Sequence, residues 1–107
     1  MPIQVNFTDP QTNINVPASY WKISVYDIND DLNTWDVTYA GFKDLASKNQ
    51  GYGSFTRAQR VFGKFSDLVG INNSSTWAQI KAAIDTFALN YTDPYTLTKP
   101  FNGGTIV

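Results

Sequence analysis

Two runs of β-branched and aromatic residues, separated by a short polar segment, constrain the fold of this 107-residue chain more than any other feature. The runs cover 20–28 and 34–42, and the segment between them reads Asn-Asp-Asp-Leu-Asn. Val, Ile, Thr and aromatic residues favour strands, whereas Asn and Asp favour turns. We therefore predict a β-hairpin.

The alternation along each strand of this hairpin separates a core face from an outer face. The predicted core face carries six apolar or aromatic residues: Trp21, Ile23, Val25, Trp35, Val37 and Tyr39. The other face of the first strand is expected to point outward or to meet an interface. It carries Tyr20, Lys22, Ser24 and Tyr26.

A second pattern predicts an amphipathic helix over 76–91. Thr76 with Gln79 three residues later fits a capping box, and Asp93-Pro94 marks the end. One face of this helix is built for burial, so we expect it to pack across the sheet. The residues that keep helical spacing on that face are Trp77, Ile80, Ala83, Ile84, Phe87, Ala88 and Tyr91.

The remaining segments are less regular. Residues 3–7 alternate as a short strand, 11–18 form an extended arm, and 92–107 form a polar and aromatic tail. Segment 55–65 fits both a helix and a strand. Gly63 disfavours a helix interior, so we favour a strand over 61–65.

Together these elements predict an α+β fold in a single domain covering 1–107. A small antiparallel sheet centred on the hairpin carries one C-terminal amphipathic helix, and both ends of the chain are extended arms. Within the domain, 1–18 are an N-terminal strand and arm, 19–91 the core, and 92–107 an extended tail. A chain of 12.0 kDa is close to the commonest domain size.

Composition excludes most familiar active sites. The chain has no Cys and no His, so it lacks a thiol nucleophile, a disulfide framework and the usual zinc ligands. The net charge of -1 predicts neither a nucleic-acid partner nor an anionic membrane partner. No segment reads as a signal peptide or a membrane span, so we expect a product that stays soluble in the cell that makes it.

Acidic residues near the hairpin turn suggest two kinds of site, and neither is predicted. Asp30 with Asp31, or Asp27 with Asp36, would be acid and base pairs, but a turn leaves both carboxylates in water. Alternate oxygen-bearing residues at 27, 29, 31 and 33 resemble the opening of a calcium loop. However, Leu32 occupies the glycine position of that motif, and Thr38 the closing Glu position. We therefore predict no enzyme activity, no metal and no cofactor.

A basic and aromatic cluster is the remaining candidate for a nucleic-acid surface. It consists of Arg57, Arg60 and Lys64, interleaved with Phe55, Phe62 and Phe65. Three cations do not form an extended groove in either secondary structure, so we interpret the cluster as a solvated face.

Three short motifs resemble small proteins encoded in the structural modules of tailed bacteriophages. They are Tyr-Trp-Lys-Ile at 20–23, an aromatic residue followed by Lys-Asp at 42–44, and the Ile-Lys pair at 80–81 within the predicted helix. The resemblance spans about 18–91. The polar arm before it and the tail after it depart from the pattern. The resemblance implies a non-enzymatic virion protein, made in the host cytoplasm, in the tail or baseplate. The alternatives are a capsid decoration protein and a module that binds a carbohydrate or host receptor.

In such a particle the chain would contact other virion proteins and copies of itself. The terminal segments place apolar residues among Pro, Asn, Thr and Gly, and so offer them no core of their own. We therefore expect these residues at contacts between chains, and expect truncation after Thr92 to leave the domain folded. The predicted contact residues are Ile3, Val5, Phe7, Tyr20, Tyr52, Tyr95, Leu97, Phe101 and Ile106.

Overall fold

A computed structural model describes residues 2–8, 15–29, 32–44, 58–72 and 74–107. In it an antiparallel sheet carries one α-helix, which confirms the predicted α+β class. A single 3-10 turn, Phe65–Asp67, follows the fourth strand. The strands are β1 (Ile3–Thr8), β2 (Asn15–Asn29), β3 (Thr34–Phe42), β4 (Ala58–Lys64) and β5 (Thr105–Ile106), and the helix is α1 (Trp77–Ala88).

The strands of the described residues form one sheet in the order β4-β3-β2-β1-β5. All its pairs are antiparallel. In this register Trp21 lies opposite Gly41, and Trp35 lies opposite Gly63. Each indole therefore has a glycine across from it on the neighbouring strand.

A shift of register in β2 changes which side chains reach the core. The shift lies between Ile23 and Val25, and after it Tyr26 pairs with Val37. Such a bulge adds one residue to one strand and reverses the alternation that follows. The prediction that Val25 belongs to the core is therefore wrong, because Val25 is 63% exposed. Tyr26, expected to point outward or to meet an interface, is 47% exposed and stacks on Trp77 of α1 with 3.9 Å between ring centroids.

Helix α1 packs its apolar stripe on the sheet. The capping box at its start is confirmed, since Gln79 N donates to Thr76 Oγ1 and Thr76 N donates to Gln79 Oε1. Phe87 meets Trp35 edge to face, at 5.2 Å between centroids. The residues buried in the shared core are Ile3, Val5, Trp21, Trp35, Val37, Tyr39, Val61, Leu68, Ile84, Ala88, Tyr91 and Phe101.

The ambiguous segment 55–65 is a strand in its described part, as favoured from Gly63. Strand β4 begins at Ala58, earlier than predicted, and ends at Lys64. A β-carbon on Gly63 would lie 3.0 Å from the Trp35 ring. The glycine is therefore needed because the indole crosses β4 at this point.

The terminal segments are more regular than expected. Residues 15–18 of the predicted arm belong to β2 and pair with β1, while 11–14 lie outside the described residues. The tail crosses the helix side of the sheet, and its Thr105 and Ile106 pair with β1. Phe101 of the tail is 1% exposed and packs edge to face on Trp21 and Tyr39.

Candidate functional site

The structure divides the predicted contact residues by burial. Ile3, Val5, Tyr20 and Phe101 are buried, which corrects the premise that the terminal segments have no core to receive their apolar residues. The reason is that β1, β5 and the tail complete the core of the chain itself. Phe7 and Ile106 are partly buried against that core, and Tyr52 lies outside the described residues. Tyr95 and Leu97 are 81% and 79% exposed.

Tyr95 and Leu97 sit on a loop, 93–98, that is closed by its own hydrogen bonds. Asp93 N donates to Thr98 O, and Leu97 N donates to Asp93 O, each at 2.8 Å. The Asp93 carboxylate also accepts from Tyr95 N at 2.8 Å. Gln59 of β4 donates to the same carboxylate, which anchors the loop to the sheet and, with the Tyr95 amide, lowers the pKa of Asp93. The loop thus has a fixed shape.

Leu97 has a backbone φ of 58°. This left-handed conformation favours Gly and Asn, and is strained for a residue with a branched apolar side chain. The side chain of Leu97 is also exposed to solvent. Leu97 thus combines backbone strain with an exposed apolar side chain, and neither feature stabilises the fold.

The outer edge of β4 is occupied by side chains. Lys64 N donates to the Asp67 carboxylate at 3.0 Å, and Lys64 O accepts from the Trp35 indole at 3.1 Å. Arg60 O accepts from the Gln59 side chain at 3.0 Å. These backbone groups are therefore not offered to another strand, a common protection of sheet edges.

A buried carboxylate lies between the helix and the sheet. Asp85 is 1% exposed and accepts a hydrogen bond of 2.5 Å from the Tyr39 hydroxyl. Burial raises the pKa of Asp85, and burial together with this carboxylate raises the pKa of Tyr39. The apolar spacing of the helix does not predict this pair, because Asp85 lies outside the apolar face and the sequence therefore suggests a solvent-exposed residue.

The acidic residues of the hairpin do not assemble into a cation site in the described part of the chain, where no three acidic side chains cluster. Asp27 and Asp36 lie opposite each other on β2 and β3. Asn29 caps the turn by accepting from Leu32 N at 3.1 Å, the role of an Asx turn. Asp30 and Asp31 lie outside the described residues.

The basic cluster is divided. Arg60 makes a two-pronged ion pair with Asp36, with contacts of 2.9 and 2.5 Å to one carboxylate oxygen, and its guanidinium lies 4.7 Å from the Phe62 ring centroid. The Arg60 guanidinium is therefore paired with a carboxylate, whereas binding of a phosphate group would require that same positive charge. Lys64 is exposed at the end of β4, and Arg57 lies outside the described residues.

The surface of the described residues includes the following clefts. The first, of 580 Å³, lies between the end of α1 and Val69, and is apolar at Ala83 and Phe87. The second, of 460 Å³, lies between the end of β1 and the C-terminal segment. The third, of 530 Å³, runs over the Asp36 and Arg60 pair.

Sequence reasoning missed other exposed apolar side chains. Val69 is 93% exposed beside the first cleft, and Leu32 is 68% exposed at the hairpin turn. Both sit in turn-rich sequence, Leu32 between Asp and Asn and Val69 before Gly70.

Comparison of the chain with protein families, with curated proteins and with solved structures finds no match. Across the described ranges, no helix has the length and apolar character needed to cross a bilayer.

Proposed function

We propose that this chain is a non-enzymatic structural protein of a bacteriophage virion, a tail or baseplate component that works through protein contacts. The placement in a virion rests on the three sequence motifs given above. The contact itself rests on loop 93–98, which is held in one shape and presents Tyr95 and Leu97 to solvent. This loop is the single observation that carries the proposal.

Exposed aromatic and apolar side chains on a rigid support suit protein recognition. Tyr and Leu bury a large area, and a loop that is already ordered loses little conformational entropy when it binds. The protected edge of β4 disfavours assembly by strand addition there. Contact through side chains is the alternative that the surface supports.

The proposal also gives roles to the hairpin and to the ends of the chain. The β2 and β3 pair forms the centre of the fold, supported by its inner position in the strand order. The segment 92–107 serves as an arm with two functions. Phe101 anchors it in the core, and the loop reaches other virion proteins or copies of the same chain.

The test is to replace Leu97 by Asn and measure both stability and assembly. Asn tolerates the left-handed backbone, so Leu97→Asn should leave the melting temperature unchanged or raised. It removes the apolar side chain, so association in light scattering, alone or with purified phage tail components, should weaken about tenfold or more. Tyr95→Ser should act in the same direction.

Val69→Ser is the matched control, since it removes an exposed apolar side chain from a different surface. It should leave association unchanged. The proposal fails if the full chain neither self-associates nor binds purified tail components, or if both loop variants associate like the parent. Recovery of the chain only on capsids would replace the tail assignment by a decoration role.

A further inference from the structure

The cleft of 460 Å³, called here the tail cleft, differs from the other two in chemistry. Six of its nine lining residues carry a neutral amide or hydroxyl, namely Asn6, Thr8, Gln59, Thr96, Thr98 and Asn102. Phe7 and Pro100 add apolar surface, and Lys99 is the one cation among these described lining residues. Its volume falls within the roughly 300–1,000 Å³ of small-molecule sites.

The polar side chains of the tail cleft are already held in place. The Asn15 amide donates to Asn6 Oδ1 at 2.6 Å and to Thr8 Oγ1 at 2.9 Å. The hydroxyls of Thr96 and Thr98 are 2.7 Å apart and share a hydrogen bond. Binding would therefore not require these groups to be ordered first, which favours affinity.

Each of these side chains still has a hydrogen-bond donor or acceptor for a ligand. Asn6 and Thr8 accept from Asn15, so the Asn6 amide hydrogens and the Thr8 hydroxyl hydrogen are their donors. Gln59 donates through its amide to Asp93 Oδ2 and Arg60 O, so its carbonyl oxygen is its acceptor. The cleft thus offers donors and acceptors side by side, and Lys99 is the one charged residue in its described lining.

We propose that the tail cleft binds a neutral carbohydrate. A sugar hydroxyl both donates and accepts hydrogen bonds, which matches a wall of mixed amides and hydroxyls. The apolar C–H face of a pyranose ring suits an apolar patch, which the partly buried Phe7 and Pro100 supply at the wall of the cleft, and the Phe7 ring also packs edge to face on Trp21 at 5.2 Å. A single Lys does not favour a phosphorylated ligand over a neutral one. The inference does not depend on the contact role of Tyr95 and Leu97.

The test uses the full chain labelled with nitrogen-15. Maltotriose, lactose and N,N′-diacetylchitobiose are titrated separately, and the amide spectrum is followed. At least one sugar should shift the backbone amides of 6–8, Lys99, Phe101 and Asn102 in a saturable way. Glucose 6-phosphate should bind no more tightly than glucose.

Two variants locate the site. Asn102→Ala removes an exposed side-chain amide from the wall of the cleft. It should weaken the affinity for the sugar about tenfold, the effect of one lost hydrogen bond. Phe7→Leu keeps an apolar side chain but removes the ring, and should weaken binding by a similar factor. The matched control, Asn90→Ala, alters the first cleft and should bind as the parent does.

Three results would overturn the inference. One is that none of the three sugars shifts the named amides. Another is that Asn102→Ala and Asn90→Ala bind sugar equally well. The third is about tenfold tighter binding of glucose 6-phosphate than of glucose, which would assign an anion to the cleft. Sugar binding by Leu97→Asn should be normal, so this failure is separable from failure of the proposed function.

Discussion

The indole of Trp35 lies across Gly63, its partner on the neighbouring strand, and donates from Nε1 to Lys64 O at 3.1 Å. Trp21 covers Gly41 in the same way one strand further along the sheet. The two tryptophans therefore use the missing side chain of a glycine to lie flat on the sheet. A methyl group at Gly41 would overlap the Trp21 ring, and one at Gly63 would press on the Trp35 ring.

We predict that both glycines are intolerant of alanine. A β-carbon on Gly41 would lie 2.7 Å from the Trp21 ring, against 3.0 Å between Gly63 and the Trp35 ring. Overpacking of this kind costs about 1–3 kcal/mol, and we expect Gly41→Ala at the upper end and Gly63→Ala at the lower end. Urea denaturation measures both. Equal stability of parent and Gly41→Ala would contradict the described packing.

Two tyrosines should respond differently to loss of their hydroxyl group. The Tyr39 hydroxyl is donated to Asp85, whereas the buried Tyr91 hydroxyl has no hydrogen bond of good geometry among the described residues and only a weak contact with the backbone of Phe62. Tyr39→Phe should lower the free energy of unfolding by about 1–2 kcal/mol, and Tyr91→Phe should change it by less than about 1 kcal/mol. Thermal melting of the two variants against the parent is the measurement. A Tyr91→Phe variant destabilised as much as Tyr39→Phe would show that the Phe62 contact is a full hydrogen bond.

Asp85 predicts a dependence of stability on pH. Burial raises its pKa above the usual value of 3.8, so the unfolded chain loses this proton at a lower pH than the native chain. Its contribution to stability is complete below about pH 3.8 and is lost as the pH rises through the raised pKa. Asp85→Asn keeps an oxygen for Tyr39 and removes the titration. Stability of the parent relative to Asp85→Asn should therefore fall as pH rises, in urea denaturation across a pH series.

Asp85→Ala serves as the comparison for that experiment. It removes the acceptor of the Tyr39 hydroxyl as well as the titrating group, so it should be less stable than Asp85→Asn by about 1–3 kcal/mol at every pH. If the stability of the parent and of Asp85→Asn depends on pH in the same way, the pKa of Asp85 is the same in the native and the unfolded chain, which would contradict the prediction.

The C-terminal segment should be needed for folding, contrary to the expectation from sequence. Phe101→Ala removes a ring that is 1% exposed and should cost about 3–5 kcal/mol. Truncation after Thr92 also removes β5 and uncovers Trp21, so we expect loss of the cooperative melt. Circular dichroism of the truncated chain tests this. A folded truncation would support the original division into core and tail.

The sequence predicted the parts of the fold that depend on local pattern. The capping residues and apolar spacing located α1, and the β-rich runs located β2 and β3. What it could not predict depends on contacts between distant segments. Phe101 stands among Lys, Pro, Asn and Gly, and its place beneath Trp21 follows only from the path of the tail across the sheet.

The candidate sites show the same difference between what local sequence predicts and what depends on contacts between distant segments. Tyr95 and Leu97 were predicted as contact residues from their polar surroundings, and both are exposed, but the same surroundings gave the same prediction for the buried Phe101. The tail cleft joins Asn6 and Thr8 with residues more than fifty positions away, such as Gln59 and Asn102. Single Asn and Thr residues have no distinctive spacing, so no sequence pattern predicts such a site.

The register shift in β2 has a consequence for changes in chain length. Ser24 lies between the paired residues Ile23 and Val25, and its hydroxyl donates to Thr38 O at 3.1 Å on an exposed surface. Substitution by Ala should therefore cost little, within about 1 kcal/mol. The residues on either side, Ile23 and Val25, pair with the adjacent residues Tyr39 and Thr38, so deletion of Ser24 would remove the bulge and keep Tyr26 opposite Val37. The hairpin should therefore tolerate the loss of this residue as readily as a change of its side chain.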